Sequence, residues 1–192
     1  RDTTYAKDVP TCLESLVWKD IGTDFKKEER IGHGRFSTVY KMSSRKGPSV
    51  FAVKTVYSEK GELALESEFL RTGELDHPNI VKLHAIFKDA GKYHLVMDYC
   101  AGGDLQRYCT EIILARKHID NFFDGGIHTE LAVRFLGQML SGMAHLHQRS
   151  LIHRDIKPEN YLLLTREKGT SMKLADFALA SRIGQGEKLT KI

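Results

Sequence analysis

The stretch Leu151-Ile-His-Arg-Asp-Ile-Lys-Pro-Glu-Asn160 decides the reading of this sequence. It follows a long amphipathic segment and precedes a short apolar one, so it reads as a polar loop between a helix and a strand. A structural loop could hold a His, an Arg and an Asp in an ion-pair network. It would rarely also supply Asp155, Lys157 and Asn160 at this spacing. Asp155 can accept a proton from a hydroxyl nucleophile, and Lys157 can neutralise a migrating phosphoryl group. Asn160 offers an oxygen to Mg²⁺, a hard cation. Downstream, Asp176-Phe177 closes the apolar run Met172–Ala175. An Asp-Phe pair alone means nothing. After that loop, Asp176 is the second oxygen ligand that a Mg²⁺–triphosphate complex requires. Phosphoryl transfer depends mostly on positioning and charge neutralisation, and these residue types suit it.

Further upstream, Ile31-Gly-His-Gly-Arg-Phe-Ser-Thr-Val39 is a glycine-bearing turn. Glycines let backbone amides approach phosphate oxygens without a Cβ in the way. A Gly-x-Gly by itself is more often a plain hairpin turn. A dinucleotide-binding turn needs a βαβ context, whereas this one leads into another strand. Lys54 closes the strand-like run Phe51-Ala-Val-Lys54. Such a lysine usually extends to solvent. Its place one β-turn after the glycine segment favours a cation held over nucleotide phosphates.

The remaining pattern is that of an α+β chain with two lobes. Residues 1–24 read as an extension that packs one short helix, with a small cluster at Leu13, Leu16, Val17 and Trp18. Residues 25–97 form a strand-rich first lobe with one helix, Glu59 to about Arg71. The strands Ile80–Phe87 and Tyr93–Met97 flank a turn at Lys88–Lys92. Residues 98–103 connect the lobes, with a break at Gly102 and Gly103. Residues 104–192 are the helix-rich second lobe, with a loop at 117–128. In the helix Glu130–His147, Leu136, Leu140, Met143 and His147 recur at helical spacing.

Composition narrows the function classes. The hydrophobic fraction is 41% and the charged fraction 28%, as in a soluble globular chain. The net charge is +4, with basic residues scattered rather than blocked, so a nucleic-acid arm is not indicated. The three cysteines, Cys12, Cys100 and Cys109, form no Cys-x-x-Cys pair and suggest a reducing compartment. No signal peptide and no membrane-length apolar run is visible. A cytoplasmic or nuclear location is the default expectation.

Taken together, these ordered motifs resemble the protein kinase family from about Phe25 onward. The resemblance implies a two-lobed fold, with ATP and Mg²⁺ as cofactors and a protein hydroxyl as acceptor. By similarity Ile31, Gly32, Gly34, Ser37 and Val39 belong to the loop over ATP. Ala52 touches the adenine and Lys54 the α- and β-phosphates. Met97 is the gatekeeper, Asp98 to Cys100 the hinge, and Asp104 meets the ribose. Leu162 lies under the adenine. Asp155 is the catalytic base, while Asn160 and Asp176 hold the metal. Arg154 resembles the arginine that reads activation-loop phosphorylation. Lys157, two residues after the base, follows the serine/threonine pattern. The glutamate expected to pair with Lys54 is Glu66, because Leu70 then supplies an apolar residue one turn later. Counting back from His77-Pro-Asn-Ile80 favours Glu68 instead.

Three departures stand out. Ser37 replaces the third glycine of the loop. Ala178 replaces the glycine that usually follows Asp-Phe, where a positive φ would cost a Cβ roughly 1–2 kcal/mol. Ala180–Ile192 reads as the start of an activation loop, with the Ala-Pro-Glu anchor absent, so the 192 residues alone are expected to be weakly active at best. Met97–Leu105 and Arg134–His147 resemble autophagy-initiating kinases. His153–Leu164 resembles equally the calcium- or calmodulin-dependent kinases, although no Asp-x-Asp-x-Asp-Gly calcium loop is present. The competing readings are a pseudokinase that binds nucleotide without turnover, and a small-molecule kinase of related fold.

Overall fold

The computed structural model describes residues 16–17, 19–34, 37–57, 73, 75–117 and 127–183. The expected helix at Glu59–Arg71, with Glu66 and Glu68, falls outside them, as does most of the loop at 117–128. The chain divides into two compact units, residues 1–74 with 82–99, and residues 75–81 with 100–192.

The first unit is a six-stranded sheet. Its strands are β1 (Leu16–Val17), β2 (Phe25–His33), β3 (Ser37–Ser44), β4 (Val50–Tyr57), β5 (Leu83–Asp89) and β6 (Lys92–Asp98). They run in the order β1-β5-β6-β4-β3-β2. β-Branched and aromatic residues at alternating positions make both faces apolar. Val53, Met42, Phe87 and Val96 pack on one face with Ile21. Val56, Ile86 and Leu95 pack on the other. β5 and β6 are joined through Ala90 (φ 41°) and Gly91 (φ 75°). Two successive positive φ values match the twist of a two-residue hairpin, which places the turn inside the expected Lys88–Lys92.

The segment before Phe25 differs from expectation. Leu16 and Val17 do not form a helix but a short strand, paired in parallel with Ile86 and Phe87. The reason is the edge of β5, whose open backbone groups accept an extended segment. A single 3₁₀ turn follows at Ile21–Thr23, capped by the Asp20 carboxylate on the Gly22 N–H.

The second unit contains two helices, α1 (Leu105–Lys117) and α2 (Thr129–His147). Around them lie β7 (Gly103–Asp104), β8 (Leu151–Ile152), β9 (Tyr161–Leu163), β10 (Met172–Leu174) and β11 (Ser181–Arg182). β7 and β10 flank β9, and β8 pairs with β11. Residues 75–81 join this unit because Ile80 bridges Leu174 and the Val81 N–H donates to the Leu174 carbonyl at 2.9 Å. Ile80, Leu146, Leu151, Tyr161, Leu163, Met172 and Leu174 form the core.

The buried face of α2 is not the expected one. Leu136 and Leu140 are each 54% exposed. Phe135, Gly142 and Leu146 are buried, and Leu131 and Met139 pack beside them. The helix carries two apolar stripes at the same spacing, so periodicity could not choose between them. Gly142 decides, because a Cβ there would lie 3.1 Å from the Asn79 carbonyl oxygen. The missing side chain lets residues 75–81 lie against this face.

Two glycines of this unit should behave oppositely. A Cβ on Gly102 would stand 2.3 Å from the Thr165 carbonyl oxygen and 2.7 Å from that of Leu163. Gly102→Ala is therefore expected to destabilise by about 1–3 kcal/mol, as overpacking does. Gly137 in α2 has nothing within 4 Å of its would-be Cβ. Gly137→Ala should be neutral or stabilising by up to about 1 kcal/mol, since alanine is the better helix former. Urea denaturation of both variants checks the contrast.

Candidate active site

In the second unit the polar loop is built on Ala175. His153 sits just after β8, is only 3% exposed, and lies 4.8 Å from the Phe177 ring, edge to face. Its Nε2 donates to the Ala175 carbonyl at 2.9 Å. Its Nδ1 accepts from the Asp155 N–H at 3.3 Å. That pattern needs the neutral ring, with its proton on Nε2. Burial accordingly pushes the His153 pKa down. The Ala175 N–H donates to the Asn160 carbonyl at 2.8 Å. One alanine thus ties together both ends of the loop and the strand that delivers Asp176.

Within the loop, Lys157 Nζ donates to Asp155 Oδ2 at 2.7 Å. Asn160 Nδ2 donates to the same oxygen at 3.0 Å and to the Asp155 carbonyl at 2.7 Å. The Lys157 hydrogen bond, aided by Asn160, outweighs partial burial and holds the Asp155 carboxyl below its usual range. Asp155 in turn raises the Lys157 pKa. Asp155 is therefore a carboxylate at neutral pH. Asn160 is buried, and donating through its nitrogen leaves its amide oxygen as the acceptor end.

Asp176 has φ 62°. A non-glycine residue in the left-handed region is uncommon and clusters at functional positions. Ala178 does not have a positive φ. The cost expected from replacing glycine there does not arise in this conformation, and the backbone strain falls on Asp176 instead. Arg154 is also left-handed, at φ 65°, and its Nε donates to the Leu179 carbonyl at 2.6 Å. Asp104 and Leu162 are paired across β7 and β9. One Asp104 oxygen caps α1 by accepting from the Arg107 N–H at 2.8 Å. The Cys100 carbonyl accepts from the Gly103 N–H at 3.4 Å.

In the first unit, the glycine turn is closed by the Gly34 N–H donating to the Ser37 carbonyl at 2.8 Å. A Cβ on Gly34 would lie 3.1 Å from Ser37 Oγ. Arg35 and Phe36 are outside the described residues. Gly32 pairs with Val39, Val39 with Lys54, Lys54 with Leu95, and Ala52 with Met97. Directly paired residues share a face, and alternate residues along a strand do too. Val39, Ala52, Lys54 and Met97 therefore lie on one face of the sheet. Ile31, on β2, is 43% exposed. The Asp98 carboxylate accepts from the Lys82 N–H at 3.0 Å and contacts His84 Nε2 at 2.7 Å.

The donor set suits Mg²⁺. Among the described residues no cluster of three or more His, Cys, Asp or Glu could hold a metal by itself. Mg²⁺ does not need one, because it keeps waters and takes one or two protein oxygens together with substrate phosphates. The Asn160 amide oxygen and the Asp176 carboxylate, both tethered to Ala175, could provide that. His153 and Ala175 carry no role in the reading from sequence. The available signal was the His-x-Asp spacing, with the histidine too close to the loop to be a spare.

Residues 25–192 match the protein kinase domain family. The chain is 34% identical over 161 residues to the serine/threonine-protein kinase ATG1c of Arabidopsis thaliana, covering 82% of this chain and 20% of the relative. It is 35% identical over 172 residues to the serine/threonine-protein kinase PEPKR2 of the same plant, covering 88% and 33%. The chain spans between a fifth and a third of the length of these curated relatives. It belongs to the protein kinase family. No helix among the described residues is long and apolar enough to cross a membrane.

The neutral His153 makes stability depend on pH. Its folded pKa lies below its ordinary value of 6.5. Above that value neither state binds the proton. Below it the unfolded chain binds protons that the folded chain refuses, so stability falls as pH drops and levels off below the folded pKa. Urea midpoints between pH 7.5 and 5.5 should decline, and less steeply in His153→Asn.

Proposed function

We propose that this chain, as a protein kinase family member, transfers the γ-phosphoryl group of ATP to serine or threonine hydroxyls of a protein substrate. The observation that carries this reading is the Asp155–Lys157–Asn160 cluster, tied through Ala175 to Asp176. The acceptor hydroxyl donates its proton to the Asp155 carboxylate as its oxygen bonds to the γ-phosphorus. The bond from that phosphorus to the bridging oxygen breaks, and ADP leaves with the electron pair. Lys157, already hydrogen-bonded to Asp155, orients that carboxylate and supplies positive charge beside the transferring group. Its ammonium at this position also supports a serine or threonine acceptor. In the first unit Lys54 binds the α- and β-phosphates. The glycine turn around Gly32 and Gly34 covers the phosphates with backbone amides. Val39, Ala52 and Met97 supply the apolar contact for the adenine. Asn160 and Asp176 would hold Mg²⁺, which neutralises phosphate charge when bound.

Two sequence features favour the alternative of a pseudokinase, Ser37 and Ala178. Ser37 closes the glycine turn through its own carbonyl, and Ala178 needs no strained backbone.

The test is transfer of radiolabelled phosphate from ATP to a generic basic protein, at high enzyme concentration with Mg²⁺. Label on serine and threonine is expected, with Asp155→Asn reducing the rate by about 10²–10⁴-fold, the usual worth of a positioned base. Mg²⁺·ATP binding without any transfer above the Asp155→Asn level would overturn the kinase reading in favour of a nucleotide-binding module.

A further inference from the structure

The segment ahead of the family-matching residues is wired into the strand that carries Lys54. The Ile21 N–H donates to Asp89 Oδ2 at 3.0 Å. The other oxygen of Asp89 lies 3.2 Å from His94 Nε2. His94 Nδ1 lies 2.9 Å from Thr55 Oγ1. A carboxylate only accepts, so His94 donates through Nε2, and Thr55 donates its hydroxyl proton to Nδ1. The chain of donors therefore runs in one sense, Thr55 to His94 to Asp89, with Ile21 closing it from the other side. Thr55 is 5% exposed and His94 7%. Burial raises the Asp89 pKa, but the Ile21 N–H and His94 outweigh it, so the carboxylate stays charged.

The geometry of the sheet places this relay behind Lys54. Thr55 and His94 are direct cross-strand partners of β4 and β6, one residue along from the pair Lys54 and Leu95. Neighbouring residues on a strand point to opposite faces. Lys54 thus lies on the face of Val56 and Leu95. Thr55 lies on the face of Val53, where Ile21 packs against Met42, Phe87 and Val96. A buried hydroxyl could have been satisfied by a local backbone carbonyl. Instead it is spent on a four-member path that ends outside the family-matching span, which begins at residue 25.

We infer that Asp89, His94 and Thr55 are positioning residues that pin β4 from behind, so that the Ile21 turn fixes how Lys54 meets the nucleotide phosphates. This rests on the reading of Lys54 as a phosphate contact. Residues 20–23 are then part of the nucleotide-binding apparatus, although they precede the matching family segment. Loosening the relay lets β4 shift against β6 most at Lys54, next to Thr55, and less at the Ala52–Met97 pair, so it costs more affinity for the charged part of the ligand than for its base.

That difference is the test. Binding of Mg²⁺·ATP and of adenosine, which lacks phosphates, is measured by calorimetry on the full chain, below the melting temperature of each variant. Asp89→Asn keeps the shape but presents an amide nitrogen to a donor. Thr55→Val removes the hydroxyl. Ile21→Pro deletes the N–H and leaves an apolar ring at the first position of the turn, where proline is tolerated. Each is expected to weaken Mg²⁺·ATP by about three- to tenfold, the worth of one or two hydrogen bonds, and adenosine by less. Thr55→Ser should restore the ATP affinity. Lys54→Met separates the two levels of the argument. If Lys54→Met weakens ATP selectively while the relay variants affect both ligands equally, or neither, the relay is only structural and the inference falls alone. If Lys54→Met fails to discriminate, the phosphate reading of Lys54 falls and takes the inference with it.

Discussion

Ala175 is bound through both of its backbone groups, and the active loop of the second unit depends on that. Its carbonyl receives the His153 proton and its N–H binds the Asn160 carbonyl. A residue with no functional side chain thereby sets the separation between Asp155, Asn160 and Asp176. Backbone groups suit this task because they cannot change rotamer, and because buried polar atoms must find partners. The core beneath them supplies rigidity. Tyr161, Leu163, Met172 and Leu174 are almost completely buried, so β9 and β10 cannot slide without opening the core. Asn79 secures β10 from its outer side, since its side chain donates to the Met172 carbonyl and its own carbonyl accepts from the Leu174 N–H.

The first unit solves a different problem. On the proposed reading it must present the Lys54 ammonium from a sheet whose two faces are both apolar. The solution is register. Val39, Lys54 and Leu95 fall in one cross-strand row, and Ala52 and Met97 in another on the same face. A one-residue slip would exchange the faces, carrying Lys54 into the cluster of Val53, Met42 and Phe87. The two-residue turn at Ala90–Gly91 and the Thr55–His94 pair both resist that slip.

Much of this was legible in the sequence, and the failures share a cause. Strands β2 to β6 and helix α2 were readable because alternation and helical spacing are properties of neighbouring residues. The spacing of Asp155, Lys157 and Asn160 was readable because all three lie in one loop. The buried face of α2 was not, since Leu136 and Phe135 both sit on plausible stripes and only the approach of Asn79 to Gly142 selects one. The conformation of Leu16–Val17 was not readable either. It is set by the open edge of β5, about seventy residues away. Local pattern predicts local structure, whereas partners distant in sequence choose between equally good local patterns.

The position of backbone strain follows the same logic. A glycine is usual after Asp-Phe, and its absence suggested a penalty at Ala178. The strain lies instead at Asp176, one of the two expected metal ligands. Phe177 explains how it is sustained. Its ring is buried in the core and meets His153 edge to face, while the Ala180 N–H donates to its carbonyl. The residues on both sides of Asp176 are therefore fixed in different ways, Ala175 by hydrogen bonds and Phe177 by packing, with His153 touching both. Asp176 must bridge them, and the left-handed conformation is how it does so. Packing on one side and hydrogen bonding on the other hold a charged side chain where an unconstrained chain would rarely leave it, which is what a preorganised ligand for a cation requires.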